Sequence, residues 1–307
     1  MRSIVPLVNL RLIGAFILLM HVVFGLPEVS AGAEPMLRYR PAEPPARIIS
    51  MAPSVTETLF ALGQSDRLAG VTNFCDYPEA AKSLPRIGGW INPNIEAIVN
   101  LAPDLIVTVP TGSTRAAVDT LMRLGVPVLL VTVYTVKDVF DCIRTLGAAT
   151  HADERAEKLC GEMQRRIDAV RAHVSDLPPR RVLFVWEQEP LIVSGGGTYM
   201  DELITLAGGV NIAGASRSRY PHLGIEEVIL QQPEVILDAF MVATGQPGTK
   251  RKDFWGRWPH IPAVREERIH HLESLVVTRP GPRLPEALDA VAHAIHPEAF
   301  NGDGDRP

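Results

Sequence analysis

The chain has 307 residues, more than one hydrophobic core usually serves, so two lobes are expected. Its formal net charge of −5 lacks the basic excess that nucleic-acid binding needs, which argues against nucleic acid as a partner. With 46% hydrophobic and 21% charged residues, the composition is that of a soluble globular protein.

The N-terminus, residues 1–33, has the pattern of a secretory signal sequence. Two arginines precede an apolar run, Leu12 to Leu26, and Ala31-Gly32-Ala33 supplies the small residues of a cleavage site. About fifteen apolar residues are fewer than the roughly twenty that span a bilayer. The sequence therefore predicts export to the periplasm, cleavage after Ala33, and a short N-terminal extension over residues 34–46.

The first lobe, predicted over residues 47–150, alternates short apolar strands with helices. Its first helix follows Pro53, and Ser54 and Glu57 match the S-x-x-E capping box. Continuous apolar strands between helices predict a parallel sheet that is covered on both faces. The predicted strands are Arg47–Met51, Leu68–Thr72, Asp104–Val109 and Pro127–Val133, with helices at Asn94–Leu101, Ser113–Leu124 and Val136–Ala148.

A long helix is predicted to link the lobes over residues 151–176. Between Asp153 and Val174, apolar residues recur at i, i+3 and i+4 with charged residues elsewhere, which indicates one continuous helix roughly 33 Å long. The second lobe, residues 177–297, repeats the α/β plan, and a disordered tail is predicted over 298–307. The predicted strands of this lobe are Arg181–Trp186, Leu191–Ser194, Glu234–Ala239 and Arg268–Glu273, with helices at Met200–Ala207, Ile225–Leu230 and Arg283–His296.

A sequence repeat links the two lobes. "NIEAIVNLAPDLIVTV", beginning at Asn94, is matched by "GIEEVILQQPEVILDA", beginning at Gly224, and the offset is 224 − 94 = 130 residues. In both copies a glutamate, Glu96 or Glu226, opens the helix before the apolar strand. The sequence thus predicts two Rossmann-like α/β lobes with parallel sheets, joined by one long helix, with a small-molecule cleft between them.

Sequence motifs of enzymes are absent. "SGGGTYM", beginning at Ser194, follows a strand and opens a helix, but it lacks the lysine of a P-loop, and a tight turn explains its glycines better. Neither a G-x-S-x-G elbow nor an H-E-x-x-H motif occurs. His270 and His271 alternate across a predicted strand, so no metal site is expected there. No catalytic cofactor is expected either.

The cysteines Cys75, Cys142 and Cys160 show no metal-ligand spacing and are expected to be buried thiols. A Cys142–Cys160 disulfide requires that the two backbones approach each other, which the sequence leaves open.

Aromatic residues are few, 6% of the chain, and several lie in predicted loops. In a parallel α/β lobe, ligands bind at loops after strand ends, where aromatic rings bury much apolar surface. These aromatic residues predict the walls of a binding cleft: Phe74, Tyr77, Trp90, Trp186 and Tyr220.

Several segments together resemble the helical-backbone class of ABC-importer substrate-binding proteins. They are "RIISMAPSVTETLFALG", "GVTNFCDYPEAA", "IGGWINPNIEAIVNLAPDLIV", "GIEEVILQQPEVIL" and "RPGPRLPEAL", and the resemblance extends from Arg47 to His296. The class also includes iron-siderophore and haem binders, but "DYP" followed by "GGW" is most similar to its cobalamin-binding members.

The resemblance implies a monomeric, non-catalytic receptor that carries cobalamin or a related corrinoid in the interlobe cleft. Phe74 takes the place of a cleft tyrosine, Trp90 of a tryptophan, Trp186 of a phenylalanine and Tyr220 of a tryptophan. Ser54 and Tyr77 complete the predicted ligand-binding set. The chain departs from the cobalamin binders in two places, because Val109 replaces a tryptophan and "LESLVVTRPGPR" lacks a clear ligand-contacting acid.

The resemblance also implies that Glu96 and Glu226 dock onto arginine pockets of a dimeric ABC permease in the inner membrane. Two alternatives remain for the function. One is a receptor for a ferric siderophore or haem, for which Tyr220 and His222 could serve as haem ligands. The other, from a different class, is a secreted α/β hydrolase or nucleotide-binding enzyme.

Overall fold

The computed structural model describes residues 40–90, 92–112, 114–239, 254–272 and 274–300. The predicted signal sequence and residues 301–307 of the predicted tail lie outside these ranges. The described start of that tail is ordered, contrary to the prediction, because Pro297–Ala299 forms a 3₁₀ turn and the Phe300 ring stacks on His293 with centroids 4.0 Å apart. Across the described ranges, no helix is long and apolar enough to cross a membrane.

The first lobe contains a parallel sheet with the strand order β2-β1-β3-β4. Ile48 and Ile49 are both fully buried, and they belong to different hydrophobic clusters because successive strand residues point to opposite faces. The sheet is therefore covered on both faces, as the sequence predicts. The elements are β1 (Ile48–Ser50), α1 (Pro53–Ala61), β2 (Leu68–Val71), α2 (Ile95–Asn100), β3 (Leu105–Thr108), α3 (Arg115–Arg123), β4 (Val128–Leu130) and α4 (Val136–Thr150).

The capping box predicted for α1 is wrong. The helix begins at Pro53 after Ala52, and no side chain caps its first turn. Ser54 lies inside the helix, and the carboxylate of Glu57 is bound instead by Arg283. Proline at the first helical position already has a helical φ and lacks an N–H group to cap, so the helix starts without the serine.

The linking helix, α5 (Asp153–Val174), has the bounds that the sequence pattern predicts. Its apolar stripe is buried, and the hydrophobic cluster that it joins contains side chains from both lobes. The lobes are therefore held together by the packing of a shared core as well as by the linking helix. The buried residues of the stripe are Ala156, Cys160, Met163, Ile167, Val170 and Val174.

The second lobe contains a five-stranded sheet with the order β6-β5-β8-β9, and a further strand, β7, pairs with the start of β5. β8 runs parallel to β5, and β9 runs parallel to β8, as predicted. The elements are β5 (Arg180–Gln188), β6 (Leu191–Val193), α6 (Tyr199–Leu206), β7 (Gly209–Asn211), α7 (Ile225–Gln231), β8 (Val235–Asp238), α8 (Pro262–Arg265), β9 (Ile269–His271), α9 (Ser274–Val277) and α10 (Leu284–Ile295).

Strand β6 departs from the predicted parallel arrangement because it pairs antiparallel with β5. Only Glu189 and Pro190 connect the two strands, which suffices for a hairpin but not for the crossover that parallel pairing requires. The short strand β7 was not predicted. Its three residues alternate between buried and exposed, a pattern too brief to recognise in the sequence.

The sequence repeat is a structural repeat. α2 and β3 in the first lobe correspond to α7 and β8 in the second, and the helix starts are again 225 − 95 = 130 residues apart. β3 pairs with β1, and β8 pairs with β5, so each copy adds its strand beside the first strand of its lobe.

All three cysteines are buried and none forms a disulfide, which confirms the prediction of buried thiols. Burial raises the pKa of the Cys142 thiol to about 12 and also raises the pKa of Cys160. Both thiols are therefore protonated and unreactive in the folded protein.

Candidate functional site between the lobes

The carboxyl ends of the two sheets meet at the junction of the lobes. The carbonyl of Tyr134, which follows β4, accepts a hydrogen bond from the N–H of Tyr199 at the start of α6. Ser54, which follows β1, lies against Gly281 so closely that a Cβ on the glycine would be 3.6 Å from the serine Cβ. This edge of a parallel sheet is where ligands bind in α/β proteins.

On the side of the second lobe, Trp186 and Tyr220 form an aromatic wall. Their ring centroids lie 6.1 Å apart in an edge-on arrangement. Trp186 is 8% exposed, and its indole N–H donates to Ser194 Oγ at 3.1 Å. Burial raises the pKa of Tyr220 to about 12, so the phenol is neutral at physiological pH. The wall is therefore uncharged, and its Trp186 ring is held by burial and by the hydrogen bond to Ser194.

On the side of the first lobe, Phe74 and Tyr77 are 56% and 46% exposed. Phe74 lies close to Gly89, the residue before Trp90. A Cβ added to Gly89 would be 4.0 Å from the Cε2 atom of the Phe74 ring. The indole N–H of Trp90 is buried without a partner in the described part of the chain. The predicted aromatic residues thus fall into two groups, one on each lobe.

Between the lobes, at the edge near β2, lies a group of ion pairs that the sequence analysis missed. Arg283 binds Glu57 through two hydrogen bonds, Nη2 to Oε1 at 2.7 Å and Nε to Oε2 at 2.9 Å. Arg279 pairs with Asp76 and lies 3.5 Å from the Glu57 carboxylate. The hydrogen bond from Arg279 lowers the pKa of Asp76. These pairs join the two lobes, and the Arg283 guanidinium lies 3.9 Å from the centre of the Tyr77 ring.

Ser54, which lies against Gly281 of the second lobe, is only 7% exposed. Its place at the junction agrees with the predicted site, but the hydroxyl is not presented openly. The role of Ser54 in ligand binding stays a prediction.

Two further residues of the junction, Tyr134 and Arg219, were also missed. The Arg219 guanidinium lies 4.5 Å from the centre of the Tyr134 ring, across the two lobes. Tyr134 follows a predicted strand and Arg219 precedes Tyr220, so position in the sequence was the available signal. Their contact could not be foreseen because 85 residues separate them (219 − 134 = 85).

At the carboxyl edge of β5 and β8, a second set of polar side chains is present. Asp238 is fully buried and accepts a hydrogen bond from Gln188 Nε2 at 2.6 Å, and His271 Nδ1 lies 3.9 Å from its carboxylate. Burial raises the pKa of the neighbouring Glu187 to about 7. Among the residues that the structure describes, no group of three or more His, Cys, Asp or Glu side chains is arranged to hold a metal.

The glutamates of the repeat occupy matching places. Glu96 and Glu226 both lie in the first turn of their helices, α2 and α7, and both are exposed. Each helix leads into a parallel strand, so its N-terminus lies at the carboxyl edge of the sheet, beside the cleft. The structure therefore presents one carboxylate from each lobe near the junction.

Two surface cavities lie away from the junction. One, of about 460 Å³, lies between α4 and α5, and the other, of about 770 Å³, lies beside the start of α5. The first cavity has a mixed lining that includes Val136 and Phe140 beside charged side chains, and the lining of the second is mainly charged and polar. We place the candidate site at the junction because Tyr77 contacts Arg283 across the lobes there, and Tyr220 of the aromatic wall follows Arg219, which contacts Tyr134 across the lobes.

A two-lobed α/β chain with a linking helix and an aromatic interlobe junction has the architecture of a solute receptor. The chain belongs to the periplasmic binding protein family, whose model matches residues 48–275.

Within that family, it is similar to the vitamin B12-binding protein of Vibrio cholerae, with 31% identity over 249 residues, which are 81% of this chain and 88% of the relative. The vitamin B12-binding protein of Yersinia pestis is 31% identical over 215 residues, 70% of this chain and 77% of that relative.

Two solved structures support the same fold. The crystal structure of the periplasmic vitamin B12-binding protein of Vibrio cholerae has a TM-score of 0.72 and 29% identity, and covers 84% of this chain and 99% of its own. The apo structure of a periplasmic heme-binding protein from Roseiflexus has a TM-score of 0.71 and 29% identity. The match covers 82% of this chain and 98% of the Roseiflexus chain.

Proposed function

We propose that the protein captures cobalamin or a related corrinoid between its lobes and delivers it to an ABC importer of the inner membrane. The observation that carries the proposal is the pair of aromatic groups, Trp186 with Tyr220 on one lobe and Phe74 with Tyr77 and Trp90 on the other. A corrin is broad and amphipathic, and aromatic rings supplied by both lobes suit such a ligand. The similarity to vitamin B12-binding proteins supports this ligand.

Haem is the second candidate because a heme-binding protein shares the fold. Tyr220 and His222 are the residues that could ligate its iron. A tyrosine binds ferric iron as a phenolate, and burial raises the pKa of Tyr220 to about 12, which opposes loss of that proton. Bound iron would itself favour the phenolate, so the choice between the two ligands rests on the similarity to vitamin B12-binding proteins. An enzymatic function has no support from a family of binding proteins.

The proposal places the protein in the periplasm as a monomer, after cleavage near Ala33. The apolar N-terminal segment and the periplasmic family support export. Its partner would be a dimeric permease, because Glu96 and Glu226 lie at equivalent places in two pseudo-symmetric lobes. A two-fold symmetric partner can contact both at once, and arginine suits carboxylate recognition because it binds in a bidentate manner.

The experiment is calorimetric titration of the purified mature protein with cyanocobalamin, haem and a ferric hydroxamate. We expect one-to-one binding of cyanocobalamin and weaker or no binding of the other two. Preference for haem or for the hydroxamate would contradict the corrinoid proposal. Turnover of a ligand would contradict the receptor function.

Variants locate the site. Trp90→Ala and Phe74→Ala should both weaken cyanocobalamin binding, and the Trp90 variant more so, because an indole covers more area; at about 25 cal/mol per Å² the difference is about 1 kcal/mol. Leu124→Ala is the matched control, because Leu124 is 57% exposed, much like Phe74, but lies at the end of α3. Equal affinity in all three variants would place the site elsewhere.

A further inference from the structure

The glycine turn that follows β6 fixes the loop that carries Arg219 and Tyr220. A Cβ on Gly195 would lie 2.2 Å from the carbonyl oxygen of Ser218, and one on Gly196 would lie 2.2 Å from that of Gly214. The N–H of Gly195 donates to the carbonyl of Arg219 at 2.8 Å. Only glycine allows the two backbones to approach this closely. The glycines of the "SGGGTYM" segment therefore form a tight turn and also position the loop that carries Arg219 and Tyr220.

The Arg219 side chain is held from the other lobe. Its guanidinium lies over the Tyr134 ring, a cation–π contact that orients the group without neutralising it. The side chain is exposed, and no carboxylate of the described residues forms a salt bridge with it. Its neighbour in the chain, Tyr220, belongs to the aromatic wall with Trp186.

The arginines at the opposite edge of the junction, unlike Arg219, are paired with carboxylates. Arg279 is bound by Asp76 and Glu57, and Arg283 by Glu57. Their side chains are 10% and 11% exposed, so their positive charge is already balanced and covered. Arg219, in contrast, has no salt bridge within the described ranges, and its contact with the Tyr134 ring holds its positive charge at the junction.

We propose that Arg219 binds an anionic oxygen group of the ligand and that in a corrinoid this group is the phosphodiester of the nucleotide loop. The assignment rests on the proposed function. A guanidinium offers planar paired donors that match two phosphate oxygens. Because Tyr134 and the glycine-anchored loop hold Arg219 from both lobes, little freedom is lost when it binds. Arg219 would then distinguish complete corrinoids from those without the nucleotide loop.

The test compares cyanocobalamin with dicyanocobinamide, which keeps the corrin ring but lacks the phosphodiester. In Arg219→Gln, cyanocobalamin should bind about tenfold more weakly, the order expected for a charge-assisted hydrogen-bonded pair, whereas cobinamide should change less than about twofold. Arg219→Lys, which keeps the charge, should recover part of the affinity. The affinity of the wild type for cyanocobalamin should fall with salt, and that of Arg219→Gln should fall less.

Arg217→Gln is the matched control, because Arg217 is exposed in the same loop, and its affinities should equal those of the wild type. Thermal unfolding of each variant shows whether the loop remains folded. An equal loss for both corrinoids in Arg219→Gln would overturn the role of Arg219 while leaving the receptor function intact. If the wild type bound neither corrinoid, the proposed function itself would fail, together with the phosphodiester assignment.

Discussion

Glu187 is a carboxyl group whose protonation is set by its surroundings in the second lobe. Burial at the end of β5 raises its pKa from 4.5 to about 7, and the nearby Asp238 carboxylate acts in the same direction. A raised pKa means that the folded state binds the proton more tightly than the unfolded state does. The resulting stabilisation is fully present below pH 4.5 and is lost as the pH rises through about 7.

We therefore expect Glu187→Gln to be more stable than the wild type at about pH 8, by on the order of 1–2 kcal/mol, because the side chain is only partly desolvated. At pH 4.5 or below the advantage should vanish. Urea denaturation at several pH values measures the difference. Glu43→Gln is the control, because this side chain is exposed and lies in the N-terminal extension before the first lobe. A difference that stays constant with pH would show that burial does not control this carboxyl.

The lobe to which each aromatic residue belongs was predictable, because the strand pattern and the ring are adjacent in the sequence. The contact of these rings with a ligand stays a prediction. Glu57 was misread as part of a capping box because its true partner, Arg283, is 226 residues away. The position of the Arg219 guanidinium likewise depends on its contact with the Tyr134 ring, which only the folded chain brings near it.

At the scale of elements, α4 and α5 pack closely, and each contains one glycine. Gly147 in α4 faces α5, and a Cβ there would lie 2.6 Å from the Cβ of Ala156. Gly161 in α5 is exposed, with no atom within 4 Å of a Cβ position. The same residue type therefore serves packing at one position and only weakens the helix at the other.

Gly161→Ala should stabilise the protein by about 0.5–1 kcal/mol, because alanine loses less backbone freedom than glycine on entering a helix. Gly147→Ala should destabilise it by about 1–3 kcal/mol, because the added methyl group overpacks the interface between the helices. Urea denaturation of the two variants under one set of conditions provides the comparison. Effects of the same sign would contradict the packing described here.

Elements with long or repeated patterns were predicted well, and short ones were not. The bounds of α5 follow from an apolar stripe of 22 residues, and α2 with β3 and α7 with β8 are supported by the repeat. The antiparallel direction of β6 follows from its two-residue connection to β5, and β7 forms a strand only because its backbone pairs with β5. Local propensity contains neither kind of information.

At the scale of the whole molecule, the proposed function uses the two exposed glutamates, Glu96 and Glu226, as docking contacts, one on each lobe. Glu96→Ala combined with Glu226→Ala should leave cyanocobalamin affinity and thermal stability nearly unchanged, since both side chains are exposed. Transport and ATPase stimulation by a reconstituted importer should be lost. Each single variant should show a partial loss that is larger at high salt, because ions screen the remaining pair.

Glu227→Ala serves as the control for this prediction, because Glu227 is exposed and adjacent to Glu226 in the same helical turn. It should transport normally. If the double variant also transported normally, the glutamates would act only on the helix dipole, a contribution of about 0.3–1 kcal/mol.

The buried cysteines give the molecule an internal chemical reporter. Cys75 and Cys142 lie in the first lobe and Cys160 in the linking helix, while the second lobe has no cysteine. A thiol-alkylating reagent can reach them only when the surrounding structure opens, because all three native thiols are buried. The rate of alkylation then measures how often the first lobe and the linking helix open. Opening of the second lobe alone would not change this rate.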